Sequence, residues 1–153
     1  MIQNQSCKLD SLLDGNESAE EMADILVVED DPEINELIGA YVELAGFSCR
    51  RVMRGDDALR EARQHIPALI VLDVMLPDLD GFEICRRLRR DPATASIPII
   101  MLTALDIEDM RCRARECGAS EYMTKPFDPD RLMAAIRQRA CVKQRALPAG
   151  HGR

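Results

Sequence analysis

The chain has 153 residues, 46% of them hydrophobic and 31% charged, and a net charge of −7 at pH 7. That is enough for one domain around a single core, and too apolar for an intrinsically disordered chain. The acidic balance argues against nucleic acid as the primary partner, and no stretch approaches the run of about 18 apolar residues that a membrane-spanning helix needs.

Residues 1–22 are polar, with Leu12 and Leu13 as their apolar pair, and lack the charged-then-apolar pattern of a secretion leader. They are expected to form a flexible amino-terminal extension of a cytoplasmic protein. Met22-Ala23-Asp24 leads directly into the first apolar run, which makes Met22 a second natural start beside Met1.

From residue 24 short apolar runs alternate with amphipathic stretches, which predicts a parallel sheet with helical crossovers. A first strand is expected over about 24–29. A helix follows from Pro32, with Ile34, Leu37, Ile38, Tyr41 and Leu44 at helical spacing and Gly46 as its stop. A second, more polar strand over 47–53 reads as a sheet edge, and Asp56 is placed to cap the helix after it, which ends before Pro67. Strand three is predicted at 68–72, followed by a turn-rich loop and a helix from Gly81 to Arg90 that Asp91-Pro92 breaks. Then come a fourth strand at about 98–102, a helix over 107–117 closing at Gly118, and a fifth strand at 121–124. The last helix is expected over 129–145, with Leu132, Met133, Ile136 and Ala140 inward. Residues 23–145 thus make one folded domain, and 146–153, with Pro148, a short tail. The six cysteines form no C-x-x-C pair and read as free thiols, with Cys112 and Cys117 on different faces of one helix.

Several of these strands end on a polar residue. Glu29 and Asp30 follow Ile25-Leu26-Val27-Val28, Asp73 follows Leu69-Ile70-Val71-Leu72, Thr103 follows Ile99-Ile100-Met101-Leu102, and Lys125 follows Glu121-Tyr122-Met123-Thr124. In an open parallel sheet the strand C-termini line one crevice, where ligands bind. Two like charges about 4 Å apart repel by about 4 kcal/mol at an effective dielectric near ~20. Three carboxylates gathered there therefore need a proton or a cation. Mg²⁺ (or Mn²⁺) suits an all-oxygen site of this kind. Asp30 and Asp73 are the expected direct ligands, Glu29 acts through water, and the backbone carbonyl of Met75 can turn to the same ion.

A carboxylate can also take up a phosphoryl group as an acyl phosphate, a reaction that asks mainly for position and charge neutralisation. Asp73 is the expected acceptor. Lys125 supplies a compact ammonium for a phosphoryl oxygen, Thr103 a hydroxyl for another, and Ala104 leaves space for the group. Lys125-Pro126 is a candidate cis peptide that would aim the lysine inward. A phosphohydrolase with an Asp nucleophile is the enzymatic alternative, but it needs a second acid two residues on, where this chain has Met75. A phosphorylation-independent interaction module is a third reading, opposed by the complete set of acceptor, metal, hydroxyl and lysine residues.

The motifs ILVVEDDPEI at 25–34, LIVLDVMLPDLDGFEICRRLR at 69–89, IPIIMLTA at 97–104 and GASEYMTKPF at 118–127 resemble those of response regulator receiver domains in two-component signalling. Their order and spacing match as well. The resemblance implies a flavodoxin-like α/β fold, a (βα)5 sandwich with a five-stranded parallel sheet in order 2-1-3-4-5. It implies that Asp73 receives its phosphoryl group from a sensor histidine kinase or a histidine phosphotransfer protein. Glu29 and Asp30 match the acidic pair, Met75 the carbonyl ligand of the Mg²⁺, Lys125 the family lysine and Thr103 the switch hydroxyl. Tyr122 matches the switch aromatic, and a core aromatic on strand five is a compatible second reading. The implied product is a switch rather than a turnover enzyme, read by a protein partner on the helix-four, strand-five, helix-five face.

Receivers commonly precede an output domain, and here residues 146–153 alone follow the predicted last helix. The chain is expected to be a single-domain regulator or the receiver part of a longer one, such as a cyclic-di-GMP synthase or a hybrid kinase. Its approach to strand four, Asp91 to Pro98, resembles those groups more than receivers fused to winged-helix transcription factors. Ala135 and Arg131 depart from the charge pattern by which that last group dimerises, which argues against its symmetric dimer; a weak or phosphorylation-dependent homodimer stays open. Met75 and Leu105 flank the pocket and are expected to slow hydrolysis of the acyl phosphate.

Overall fold

The computed structural model describes the backbone of residues 23–105 and 107–152, and side chains as far as residue 140. The expectations for residues 1–22 fall outside it. Five parallel strands, β1 (Asp24–Val28), β2 (Ser48–Val52), β3 (Leu69–Leu72), β4 (Ile99–Thr103) and β5 (Glu121–Thr124), form one sheet in order β2-β1-β3-β4-β5. Five helices alternate with them: α1 (Pro32–Leu44), α2 (Gly55–Gln64), α3 (Gly81–Arg90), α4 (Glu108–Glu116) and α5 (Pro129–Gly152). Among the described residues no helix is long and apolar enough to cross a membrane.

The central strands are covered on both faces, which is why they read as unbroken apolar runs rather than as alternation. Leu26, Val28, Ile70, Leu72, Ile99 and Met101 pack toward α2, α3 and α4 with Phe82, Ile84 and Leu88. Ile25, Val27, Leu69, Val71, Ile100 and Leu102 pack toward α1 and α5 with Ile38, Val42, Leu132 and Ile136. β2 is an edge, as its polar sequence predicts. Its Arg50 joins Asp24 on β1 to Glu61 on α2, the latter at 3.0 Å. Cys49, Cys85, Cys112 and Cys117 are free thiols, and Cys117 is buried while Cys112 is partly exposed, so the two lie on different faces. Cys7 and the Cys141 side chain lie outside the described residues.

Local signals explain most element ends. Asp31 caps α1 by accepting from the amides of Glu33 (2.9 Å) and Ile34 (3.3 Å), with Pro32 in the first turn. Gly46 follows with φ of 101°, in the left-handed region that a side chain would disfavour. Asp80 caps α3 through the amide of Phe82 at 2.7 Å.

Three expectations are corrected. The buried face of α1 is Asn35, Ile38, Gly39 and Val42, not the Ile34-Leu37-Ile38-Tyr41-Leu44 stripe; Leu37 is 45% and Leu44 70% exposed. The inward face contains a polar residue and a glycine, so counting apolar side chains rotates it by about one residue, roughly a quarter turn. Asp56 does not cap α2. Instead Asp78, from the loop after β3, accepts from the amides of Gly55 (2.8 Å) and Asp56 (2.9 Å). Finally, α5 runs on to Gly152 rather than ending near 145, and passes through Pro148. A proline within a helix removes its own amide donor and crowds the carbonyl four residues back, but the residues on either side keep their donors.

The Asp78 contact carries a prediction. Desolvation pushes its carboxyl pKa up, but the amides of Gly55 and Asp56, with those of Asp78 and Leu79, outweigh this and hold it at about 2, below the ordinary 3.8. A depressed folded-state pKa gives stability that is complete above the unfolded value and is lost as pH falls through the folded one. Asp78→Ala is expected to cost about 1 kcal/mol at neutral pH, the usual worth of a helix cap. The gap to wild type should close toward about pH 2. Urea unfolding across that range measures it; a pH-independent gap would show that the charge of Asp78 is not what caps α2.

Candidate functional site

The chain reverses its direction of travel across the sheet between β1 and β3, and an open α/β sheet forms its ligand crevice at such a switch point. Glu29 and Asp30 leave β1 there, and Asp73 leaves β3. One carboxylate oxygen from each of the three lies within 4.8 Å of the others. Glu29 and Asp73 are buried, at 2% and 5% exposure, whereas Asp30 is more open to solvent. Lys125 reaches in from the end of β5, where the Lys125-Pro126 peptide is cis, as anticipated. Its Nζ donates to Glu29 Oε1 at 2.6 Å and to Asp73 Oδ2 at 3.3 Å.

The second oxygen of each buried carboxylate is held by backbone. Glu29 Oε2 accepts from the amide of Asp31 at 3.2 Å, and Asp73 Oδ1 from the amide of Met75 at 3.2 Å. Behind Asp73 the loop closes tightly, with Gly81 N–H donating to the Val74 carbonyl at 2.8 Å. A Cβ at position 81 would lie 2.6 Å from the Asp73 carbonyl oxygen and 2.7 Å from Val74 Cα, so only glycine lets α3 begin this close.

The electrostatics follow from burial. Desolvation raises the Glu29 pKa, and the Asp73 charge adds to the rise, while the hydrogen bond from Lys125 offsets part of it. For Lys125 desolvation acts downward, yet the hydrogen bond to Glu29 and the Asp73 charge outweigh it, so its pKa is raised and it stays an ammonium. Three carboxylates against one ammonium leave two negative charges when all are ionised, which a divalent cation would neutralise. The donors are all oxygen, the preference of Mg²⁺ or Mn²⁺.

Thr103 ends β4. Its hydroxyl is fully buried and has no hydrogen-bond partner among the described residues. A buried polar atom left so is uncommon and calls for a cause. Tyr122, on β5 and in register with Met101 of β4, is buried at 8% exposure. Its hydroxyl donates to the Leu105 carbonyl just beyond β4. The Arg111 guanidinium of α4 lies 5.1 Å from the centre of its ring. Met75 (57% exposed) and Leu105 line an open cleft of about 380 Å³ with Met110 and Arg113.

All the acidic residues, the lysine and the hydroxyl expected from sequence thus end at one edge of the sheet. Two residues with roles here were missed. One is Asp78, whose cap ties the loop after Asp73 to α2. The other is Asn35, buried at 2% exposure, whose side-chain amide donates to the Glu29 carbonyl (2.8 Å) and the Val52 carbonyl (2.9 Å). The only signal of Asn35 in sequence is a polar side chain one turn from Ile38 and Gly39.

The sequence profile of the response regulator receiver domain matches residues 25–137. The chain belongs to this family. It is 43% identical over 116 residues to RpaA of Synechocystis, described as a DNA-binding dual master transcriptional regulator, covering 76% of this chain and 48% of that protein. It is 41% identical over 115 residues to the response regulator PleD of Caulobacter vibrioides, covering 75% of this chain and 25% of that one. The receiver domain of the sensor histidine kinase PA1611 of Pseudomonas aeruginosa, whose structure has a magnesium ion coordinated in the active-site cleft, superposes with a TM-score of 0.72. The identity there is 30%, covering 78% of this chain and 98% of that one.

The chain is therefore a receiver domain with the expected flavodoxin-like topology, and receiver domains are switches rather than turnover enzymes. It spans about half the length of RpaA and a quarter of PleD. RpaA, a transcriptional regulator, matches at least as well as PleD does, so likeness over the whole domain does not favour either group.

Proposed function

We propose that this receiver accepts a phosphoryl group on Asp73 from the phosphohistidine of a sensor histidine kinase or a histidine phosphotransfer protein in the cytoplasm. The observation that carries this is the Lys125 ammonium bound to both Asp73 and Glu29 in a three-carboxylate cluster, at the same sheet edge as a buried Thr103 hydroxyl that has no partner among the described residues. Asp30 and Asp73, the Met75 carbonyl and, through water, Glu29 would hold Mg²⁺ (or Mn²⁺), which supplies positive charge to the phosphoryl oxygens. An Asp73 carboxylate oxygen forms the new O–P bond as the donor's N–P bond breaks, and the leaving imidazole keeps the electron pair and takes up a proton. Lys125 then pairs with a phosphoryl oxygen, and Thr103 donates its hydroxyl to another.

That second contact supplies the switch. Thr103 gains a partner that only the phosphorylated state offers, so the state in which it turns toward the phosphoryl group gains population. Leu105, two residues on, moves with it, and Tyr122 is bonded to the Leu105 carbonyl. The change reaches the α4–β5–α5 face, where a protein partner reads it. Met75 and Leu105 restrict the approach of water and prolong the phosphorylated state. The chain serves as a single-domain regulator or as the receiver of a longer one, such as a transcriptional regulator, a cyclic-di-GMP synthase or a hybrid kinase.

Intact mass tests the reading. With Mg²⁺ and acetyl phosphate, wild type is expected to gain one phosphoryl group that hydroxylamine removes, and Asp73→Asn to gain none. Equal uptake by the two proteins, or none by wild type with a phosphorylated kinase as donor, would sink it.

A further inference from the structure

We propose that Asn35 is the positioning residue of the acidic pair: its carboxamide fixes the peptide carrying Glu29 and Asp30, and thereby sets the affinity of the site for a divalent cation. The inference rests on the reading of the carboxylate cluster given above.

Asn35 is the polar side chain among the four buried residues of α1, and both of its N–H donors are used on strand ends. One goes to the Glu29 carbonyl at 2.8 Å and the other to the Val52 carbonyl at 2.9 Å. The Glu29 amide also donates to the Val52 carbonyl, at 3.2 Å, so the Asn35 amide completes a closed link between α1, β1 and β2. The Glu29 carbonyl belongs to the peptide that joins the two acidic residues. Anchoring it fixes the rotation of that peptide, and with it the directions in which the two carboxylates leave the chain.

Nothing else described holds that peptide from this side. Glu29 Oε1 is held by Lys125 and Oε2 by the Asp31 amide, but these contacts fix the end of the side chain, not its root. Without Asn35 the buried Glu29 carbonyl loses its donor and the part-buried Val52 carbonyl keeps only the Glu29 amide, so the peptide is free to turn toward another donor. The two carboxylates would then spread. Gathering them around a cation would carry an ordering cost that wild type has already met on folding. Groups that orient metal ligands from behind typically change metal affinity by about 10- to 100-fold when removed.

The test compares Asn35→Leu, of similar size and without a donor, with Val42→Ala on the same buried face of α1. Each full chain is titrated with Mg²⁺, followed by amide NMR, and unfolded in urea with chelator present. Asn35→Leu is expected to bind Mg²⁺ about tenfold more weakly than wild type. Its phosphorylation by acetyl phosphate should be slow at limiting Mg²⁺ and recover at saturating Mg²⁺. Val42→Ala should lose stability to its cavity and keep wild-type Mg²⁺ affinity. Asn35→Thr, which retains one donor, should fall between Asn35→Leu and wild type, and it serves alone if the leucine variant does not fold. Equal Mg²⁺ affinity in wild type and the Asn35 variants, with only stability changed, would overturn the inference and leave the phosphoryl-acceptor reading standing. No Mg²⁺ binding by wild type would overturn both.

Discussion

Replacing Lys125 with methionine is expected to lower stability at neutral pH by about 3 kcal/mol, near the lower end of the range for breaking a buried ion pair. The Lys125 side chain is 16% exposed, and the side chains of its two partners, Glu29 and Asp73, are 2% and 7% exposed. Methionine fills similar volume but leaves two buried carboxylates with no counter-charge, beside a third on Asp30. Water reaching the lysine side, and protonation of one carboxyl, keep the loss from the upper end of the range. The sign of the pH dependence follows from Glu29. Burial already holds its pKa above the ordinary value, and losing the lysine raises it further. The variant should therefore recover toward wild type as pH falls through the Glu29 pKa and the carboxyl takes up a proton. Added Mg²⁺ should restore part of the loss at neutral pH by replacing the missing positive charge. Urea unfolding with and without Mg²⁺ at several pH values measures both effects. A variant as stable as wild type at neutral pH would mean that the carboxylates do not depend on the lysine for neutralisation.

Thr103→Val is expected to act in the opposite sense. The Thr103 hydroxyl is fully buried and has no partner among the described residues, so the unphosphorylated protein carries an unmade hydrogen bond. Leaving such a group unsatisfied costs about 1–3 kcal/mol, and valine has the same shape without the hydroxyl. The substitution should stabilise the unphosphorylated receiver by about 1 kcal/mol, the lower end, because some of the penalty relaxes in any real interior. It should also uncouple the switch. The variant still takes up a phosphoryl group on Asp73, because the acceptor and the lysine are untouched. Nothing then draws the end of β4 toward that group, so the amide shifts of Leu105, Tyr122 and α4 should no longer follow phosphorylation. Thr103→Ser keeps the hydroxyl and should keep the response. A less stable valine variant that still shows wild-type shift changes would remove Thr103 from the switch.

The site was legible because each of its main residues interrupts something. Asp73, Thr103 and Lys125 each stand at or just past the end of an apolar strand, where burial alone would favour another apolar side chain. Strand existence was equally legible, since β1, β3 and β4 are covered on both faces and carry no alternation to misread. The strand order came from the resemblance carried by four motifs, because apolar runs do not say which strand lies beside which.

What escaped did so for a shared reason: its partners are distant in sequence. Asp78 caps a helix that begins 23 positions earlier, so a search for local caps settled on Asp56. Asn35 works through carbonyls at positions 29 and 52, and it sits on the very face that an apolar count rotated away from the core. Tyr122 was open in sequence between switch and core aromatic. Its ring is buried like a core aromatic's, and its hydroxyl is bonded to the Leu105 carbonyl, the contact through which the proposed switch would reach it.

The position of the phosphoryl group tests the central claim most directly. Borohydride reduces an aspartyl phosphate to homoserine with release of phosphate, which marks the acceptor with a stable change. After phosphorylation with Mg²⁺ and acetyl phosphate, reduction and peptide sequencing by mass spectrometry, homoserine is expected at position 73 and at no other aspartate. Homoserine at position 30, or an unmodified Asp73 in a protein that has gained the phosphoryl mass, would contradict the account.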